Sequence, residues 1–593
     1  MIDAVEHLEP QRWALANRAL VRKALAEFTH ERLLAPEPDG DGWIVRSDDE
    51  LVTYRFTATR MALDHWHVDA DSITRHRDGV ALGLDALELF LELRDTLGMT
   101  DEVLPVYLEE ITSTMAGTAF KLGRPVPAKE LARADFQTVE AGMTEGHPCF
   151  VANNGRLGFD AAEYRAYAPE AGGPVRLVWL AVRRDRSTFS CSPDLDHDLL
   201  VRSELDATTL TRFAAVMDAH ELDLDAYHLL PVHPWQWWNR VAVTFAADLA
   251  RRDIVCLGEG DDTHQAQQSV RTFHNTSRPD RHYVKTALSV LNMGFLRGLS
   301  TKYMEGTPAI NDWLADLVAD DDVLRAHGFS ILRERAAIGY HAGTYAAAAA
   351  PGSPYTKMLA ALWRESPRVD DGERLATMAA LLHVDHEGTP LVGELIAESG
   401  LEPARWLQRY LDAYLTPLLH CLYAHRLVFM PHGENLILVL RDGVPTRVVM
   451  KDIGEEIAVM DPDVELPGAV ERIRVTVPNE LVALSILTDV FDCVFRFLAA
   501  ILHTNGLLDP DDFWAAVART VTAYQEAHPE LADRFAAHDL FAGTFPLSCL
   551  NRLQLRNNRQ MVDLTDPAGS LALHGDLINP IAAHRPTTLE ENR

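Results

Sequence analysis

RLVFMPHGENLILVLRDGVPTRVVMKDIGEE, residues 426–456, is the stretch around which the rest of the chain is read. Residues 435–440 (NLILVL) and 447–450 (RVVM) are apolar, β-branched runs, and Asp442-Gly443 between them is a residue pair that turns an antiparallel hairpin. Such a hairpin sets His432 and Asn435 at the entry of one strand beside Lys451 and Asp452 at the exit of the other. An amide oxygen next to a carboxylate suits Mg2+, which keeps several waters and takes one or two protein oxygens while bridging nucleotide phosphates. Kinase-like folds use the same Asn-then-Asp logic, although an ordinary hairpin with polar ends fits the pattern equally well.

The chain has 593 residues, too many for one core, so two to four packed subdomains are expected. A formal charge of −32 excludes a protein that coats nucleic acid, because phosphate binding needs a basic face. Cys149, Cys191, Cys256, Cys421, Cys493 and Cys549 form no C-x-x-C pair, which points to a reducing compartment, the cytoplasm, without a disulfide framework or a zinc site. The first twenty residues lack the apolar segment of a secretory signal. The most apolar stretch, 481–503, carries Asp489, Asp492 and Arg496 and reads as a buried helix; no membrane span is expected.

Outward from the hairpin, 402–425 spaces its leucines as a helix, kinked at Pro417, that leads straight into it. Residues 266–274 and 281–290 read as two strands around the turn NTSRPD, and they concentrate Ser269, Arg271, Thr272 and Lys285, with Arg297 just beyond. Arg forks, a Lys point charge and hydroxyls are the usual clamps for a triphosphate. The alternative is a solvated basic strand face, but alternation would half-bury some of these groups, where an unpaired charge is costly, which puts an anion guest ahead. Residues 145–159 (EGHPCFVANNGRLGF) read as an exposed loop holding His147, Asn153, Asn154 and Arg156. In 230–240 (LPVHPWQWWNR), Trp235, Trp237 and Trp238 read as core or interface before a base-stacking wall. Residues 6–34, 82–120, 480–503 and 511–527 read as helical, 42–56 and 61–68 as a small sheet, 345–354 as a linker and 355–365 as a helical piece. Arg552, Arg556 and Arg559 near the C-terminus face either an acidic substrate or solvent.

GHP at 146–148, HPWQ at 233–236, SVRT at 269–272, Lys285, Arg297, HGEN at 432–435 and KD at 451–452, in that order, resemble the siderophore synthetases that work independently of nonribosomal peptide synthetases (NIS synthetases), the family of the two aerobactin synthetases. The resemblance runs nearly end to end. KTALSVLNMGFLRGLS and SCLNRLQLRNNRQ look most like the desferrioxamine synthetases, which join and cyclise N-hydroxy-N-succinylcadaverine. It implies an α+β, cupped-hand fold with thumb (1–165), fingers (166–370) and palm (371–593), commonly a homodimer. It also implies that Ser269, Arg271, Thr272 and Lys285 bind ATP phosphates, that Arg297, His147 and His432 act at the α-phosphate or carboxylate, and that Asn435 and Asp452 hold Mg2+.

Many citrate-using relatives carry a second His-Pro and a Lys after the GHP loop, where Phe150, Val151 and Asn154 stand here. That departure favours a succinyl chain, an N-hydroxy-N-succinyl-diamine, over citrate. The implied reaction is ATP-dependent adenylation of the succinyl carboxylate followed by amide formation. The rival readings are a kinase-like phosphotransferase releasing ADP and a noncatalytic ligand-binding protein.

Overall fold

Helices Pro10–His30 and Leu104–Leu122 both carry Pro in the first turn, where the missing N–H has no intrahelical partner to lose. In the computed structural model, which describes residues 2–143, 145–350, 352–561 and 572–586, they pack beside a five-stranded antiparallel sheet. Strand Val52–Phe56 of that sheet buries Val52, Tyr54 and Phe56 in strict alternation. These side chains join Phe28, Phe90 and Tyr107 in one core, with Phe28 against Phe90 and Phe90 against Tyr107 edge to face. The helices expected in 6–34 and 82–120 are present, the second broken into Ala86–Glu92 and Leu104–Leu122. The strand expected at 61–68 is instead two, Ala58–Met61 and His65–Val68, paired around a single helical turn at Ala62–Asp64, and Thr74–Arg77 and Val80–Leu82 join the sheet beyond the expected range.

The middle of the chain forms two sheets. One orders Tyr227–Val232, Val178–Arg183 and Ile254–Glu259; the other is six-stranded and antiparallel at every pairing, in the order His264–Ala266, Thr272–Asn275, Tyr283–Thr286, Ala360–Arg364, Glu334–Tyr340, Ser187–Cys191. Two expectations are corrected here. The helical piece in 355–365 is instead the strand Ala360–Arg364, buried on both faces between two neighbours. A short run without alternation cannot be told from a buried helix by periodicity, and the sheet decides it. The strand expected at 266–274 is also shorter, because 267–270 is a tight turn: Val270 N–H donates to Gln267 O (2.8 Å) and Gln267 N–H to Thr272 O (2.8 Å).

The last part is built on the expected hairpin. Leu436–Arg441 pairs antiparallel with Val444–Met450, and Asp442 (φ 51°) and Gly443 (φ 75°) turn between them. A side chain on Gly443 would come within 2.6 Å of Leu395 O, so both the positive φ and the close approach require glycine. Helix Pro403–His425, with Pro417 inside it, backs the hairpin and donates Trp406 Nε1–H to Gly443 O (2.9 Å). The expected buried helix at 481–503 is helical but passes through a π-helical segment, Leu487–Phe495. The principal core of this part also takes Val139 and Met143 from upstream, along with Ile310 and Leu314 from helix Thr301–Asp320.

A buried polar seam fixes the first part against the last. Arg496 donates to Glu27 (3.0 Å) and lies 3.0 Å from Asp492, which also meets His30 (3.2 Å); Glu31 accepts from Asn551 and Arg552 backbone N–H groups. Arg552 further donates to Glu31 O and Arg32 O, so it belongs to this seam and not to a substrate, whereas Arg556 and Arg559 are exposed. Asn551 of the seam also donates to Cys149 O (2.9 Å), and His147 stands against His432, so the 145–159 segment lies between the seam and the hairpin. All six cysteines are unpaired.

Candidate active site

Ser269, Arg271 and Thr272 are set by the turn before Thr272–Asn275. Val270 sits at φ 67°, a left-handed conformation that β-branched residues rarely adopt, and its side chain is locked in a small core with Trp235, Leu288 and Val290. Packing therefore holds the strained turn open, with Ser269 Oγ accepting Thr272 N–H (3.2 Å) and donating to Thr272 Oγ1 (2.8 Å). Trp235 is the floor of this turn, anchored through Nε1 to Gly158 O (3.1 Å) and Glu163 (2.9 Å); Trp237 is core, and Trp238 is exposed. Thr272 pairs with Lys285 across the ladder.

Lys285 reaches the other hairpin. Its Nζ donates to Asp452 Oδ1 at 2.9 Å and lies 3.7 Å from Glu455, and Arg364 donates to the same Asp452 oxygen at 3.0 Å. Both cations use Oδ1, which leaves Oδ2 for a further partner. Burial alone would raise the Asp452 carboxyl, but Lys285 and Arg364 outweigh it and hold the group well below the usual carboxylate range. Burial likewise opposes the charge on Lys285, yet Asp452 and Glu455 raise its pKa above the ordinary value.

Asp452 stands at φ 61° directly before the short helix Ile453–Glu456. Its geometry depends on Glu334, whose Oε2 accepts Gly454 N–H (3.1 Å) and Asn311 Nδ2–H (3.4 Å). A Cβ on Gly454 would fall 2.5 Å from Thr307 and 2.7 Å from Glu334, so only glycine admits this approach. On the neighbouring strand, Lys451 N–H donates to Asn435 O (2.9 Å), and Asn435 Nδ2 donates to Met430 O (3.0 Å) and to the Glu456 carboxylate. The amide's donors are thus committed and its oxygen is the atom left for a ligand. Burial and the charge of Asp452 push Glu456 up to about 8. Crowded carboxyls that suppress one another's ionisation are a donor set a dication would relieve, so these residues fit a magnesium ion.

The third side of the site comes from 145–159 and the turn at Met293-Gly294. His147 and His432 face each other edge to face, ring centres 5.5 Å apart; burial lowers the pKa of both. Arg297 donates to Asn292 Oδ1 and is pushed down to about 10, first by burial and then by Arg271. Nε of Arg297, Nε of Arg271 and Nδ1 of His432 are buried without a protein partner. Arg271 also donates to Gly298 O (2.5 Å) and lies 4.0 Å from Glu455.

The nine residues given site roles in the sequence, His147, Ser269, Arg271, Thr272, Lys285, Arg297, His432, Asn435 and Asp452, lie in this region, whereas Arg552, Arg556, Arg559 and Trp238 do not. One correction accompanies that result. The 145–159 segment is buried at His147, Asn153, Asn154 and Arg156, although its turn residues suggest an exposed loop. Arg156 donates to Glu170 (2.8 Å) and Asn154, so most of its fork is already used. Phe150 and Val151 belong to apolar clusters. Sequence reasoning missed Glu334, Arg364, Glu455 and Glu456. The EE after KDIG was visible, but nothing marked Arg364 or Glu334, which arrive only through strand pairing.

The chain belongs to the IucA/IucC family of NIS siderophore synthetases, and its cupped-hand α+β architecture is theirs. The family model described as "IucA / IucC family" matches residues 135–383, and one described as "Ferric iron reductase FhuF-like transporter" matches 404–563. Among the described residues no helix is long and apolar enough to cross a membrane. The chain is similar to a putrebactin synthase of Shewanella sp. (strain MR-4), 50% identical over 98% of this chain and 93% of that protein. It is also similar to an aerobactin synthase of Escherichia coli, 32% identical over 92% and 94%. The aerobactin synthetase IucC of Klebsiella pneumoniae superposes with a TM-score of 0.85 at 28% identity, covering 97% of this chain and all of that one.

Proposed function

We propose that this siderophore synthetase adenylates the succinyl carboxylate of an N-hydroxy-N-succinyl-diamine and condenses it with a primary amine, iteratively and with final ring closure, to build a desferrioxamine-type hydroxamate. The observation that carries the reading is the meeting of two hairpins, Lys285 on one and Asp452 on the other, 2.9 Å apart in one cleft. Similarity over nearly the whole length to a synthase named for putrebactin supports a hydroxamate product.

In this reading the carboxylate oxygen attacks the α-phosphorus of ATP, the bond to the pyrophosphate oxygen breaks, and pyrophosphate leaves. The amine nitrogen then attacks the acyl carbon, AMP departs with the bonding pair, and the nitrogen releases a proton. Ser269, Arg271, Thr272 and Lys285 bind and orient the phosphates, which is positioning plus electrostatics. Arg297 and His432, with His147, would face the charge that develops at the α-phosphate; Nε of Arg297 and Nδ1 of His432 are buried without a protein partner, which supports that role. Asn435 and Asp452, with Glu456 beside them, would hold Mg2+, whose chemistry when bound is to neutralise phosphate charge. Thumb (1–165), fingers (166–370) and palm (371–593) are the assigned parts, with phosphates on the fingers and metal and substrate on the palm. A homodimer in the cytoplasm completes the proposal.

The test is to incubate the purified protein with ATP, Mg2+ and N-hydroxy-N-succinylcadaverine or its putrescine homologue. Hydroxamate-dependent AMP and pyrophosphate, with product masses at multiples of the monomer less water, are expected. ADP in place of AMP would establish the kinase-like alternative, and no ATP binding by calorimetry would establish the noncatalytic one. Light scattering tests the dimer.

A further inference from the structure

A second set of ligand-type side chains lies in the palm outside the cleft. Among the described residues, Asp321, His420 and His425 form the one group of three His, Cys, Asp or Glu whose candidate ligand atoms all lie within 4.8 Å of one another. His420 Nε2 is 3.0 Å and His425 Nε2 2.8 Å from the same oxygen, Asp321 Oδ2. Ligand atoms at bonds of roughly 2.0–2.2 Å from one ion stand about 3 Å from each other, so each imidazole nitrogen already stands at the ligand–ligand distance from Asp321 Oδ2, and the two nitrogens lie within 4.8 Å of one another.

The surroundings orient each ligand. Asp321 opens helix Asp322–Ala326, and its Oδ1 accepts Leu324 N–H (2.8 Å), which turns Oδ2 toward the imidazoles. His420 projects from helix Pro403–His425 and meets Tyr524 OH through Nδ1 (3.0 Å), the outer partner that fixes ring rotation at metal sites. His425 is the last residue of that helix, and Arg426 leaves it at φ 48°. His420 is buried, while the Asp321 and His425 side chains keep 14% and 27% of their surface, so one side is open to water or a further ligand. His528, on helix Pro510–Ala527's C-terminal boundary, places a third imidazole 5.3 Å from the His420 ring.

We propose that Asp321, His420 and His425 form a site for one transition-metal dication, zinc being the ion its two imidazoles and one carboxylate suit best, separate from the ATP cleft. The ion would staple the junction after helix Thr301–Asp320 to the end of Pro403–His425, the point from which the chain runs to His432. Without an ion the same groups make a hydrogen-bonded clasp, and the experiment separates the two accounts.

The full-length protein, stripped with a chelator, is titrated with zinc chloride against a chromophoric competitor, and in parallel with cobalt(II) by absorbance. One tight equivalent per chain is expected. His425→Gln and Asp321→Asn should weaken it at least ~100-fold, and Tyr524→Phe ~10–100-fold, as loss of an outer-shell partner does. Asp452→Asn, in the ATP cleft, should leave zinc uptake unchanged. Wild type binding zinc no more tightly than His425→Gln would overturn the proposal in favour of the clasp, and loss of the equivalent in Asp452→Asn would move the ion to the cleft. If His425→Gln does not fold, wild-type cobalt decides: ligand-field bands without thiolate charge transfer support the site, and a thiolate band or no band overturns it.

Discussion

Lys285→Met separates the two tasks assigned to the cleft, holding Asp452 in the empty protein and holding phosphates in the reacting one. Methionine keeps most of the stem's volume and removes the charge, so the loss is electrostatic and not a cavity effect. Taking one partner from a buried ion pair costs about 3–5 kcal/mol because the survivor is left uncompensated. Arg364 still reaches Asp452 Oδ1 at 3.0 Å, which places the expected loss at the low end, about 3 kcal/mol. In Lys285→Met/Asp452→Asn neither charge is stranded, so the two single losses should exceed the double loss by about 1–3 kcal/mol. Denaturant unfolding without nucleotide measures both. Hydroxamate-dependent pyrophosphate release should fall about 100- to 1000-fold in folded Lys285→Met, equivalent to roughly 3–4 kcal/mol at the transition state. Additive single-variant losses would show that the contact carries no energy, and near wild-type turnover would show that Lys285 does not serve the phosphates.

Arg297→Ala and His432→Ala should each lose about 100- to 1000-fold in pyrophosphate release while their melting temperatures stay close to wild type; near wild-type adenylation would remove them from the reaction. Glu334→Ala strips the acceptor from Gly454 N–H and should cost about 1–3 kcal/mol by thermal denaturation, whereas Glu334→Gln keeps an acceptor and recovers most of it. His233 is fully buried, and burial alone depresses its pKa from 6.5 to about 3. Below 6.5 the unfolded chain therefore binds a proton that the folded one refuses, and stability falls with falling pH by up to about 1.4 kcal/mol per unit until the folded group titrates. His233→Gln should flatten that limb of the pH–stability curve, and an unchanged slope would assign it to other groups.

How much was legible in the sequence follows the range of the forces involved. The Asp442-Gly443 hairpin could be read because turn stereochemistry is local: two residues at positive φ fix the pairing that brings Asn435 beside Lys451. The Lys285 cluster could be read because charge concentrated in a strongly acidic chain needs a reason. Strand Ala360–Arg364 could not, since a buried five-residue run carries no period, and Arg364 was lost with it. Glu334 was invisible for a related cause: its role exists only because the six-stranded sheet delivers it to Gly454 across 120 residues. The burial of 145–159 was misread because Gly, Asn and Pro report turns and not exposure. Here the polar side chains satisfy one another, as Arg156 does with Glu170 and Asn154.

The cleft also shows why opposite charges from different sheets are packed together before any ligand arrives. An isolated buried Lys285 or Asp452 would neutralise itself by shifting its pKa, and the cleft would then hold no field to act on a triphosphate. Each instead keeps the other ionised: Asp452 raises Lys285, and Lys285 with Arg364 lowers Asp452. In the proposed reaction, entry of a phosphate and a dication together would exchange partners without creating a stranded charge at any stage, the anion taking over Lys285 as the cation takes over Asp452. Nucleotide without magnesium would leave Asp452 and its crowded neighbours facing added negative charge, so binding of the two should be strongly cooperative. The cationic and acidic halves lie on separate hairpins, so under the proposed roles partner exchange would require only that Lys285 and Asp452 separate, with no strand pairing broken in either ladder.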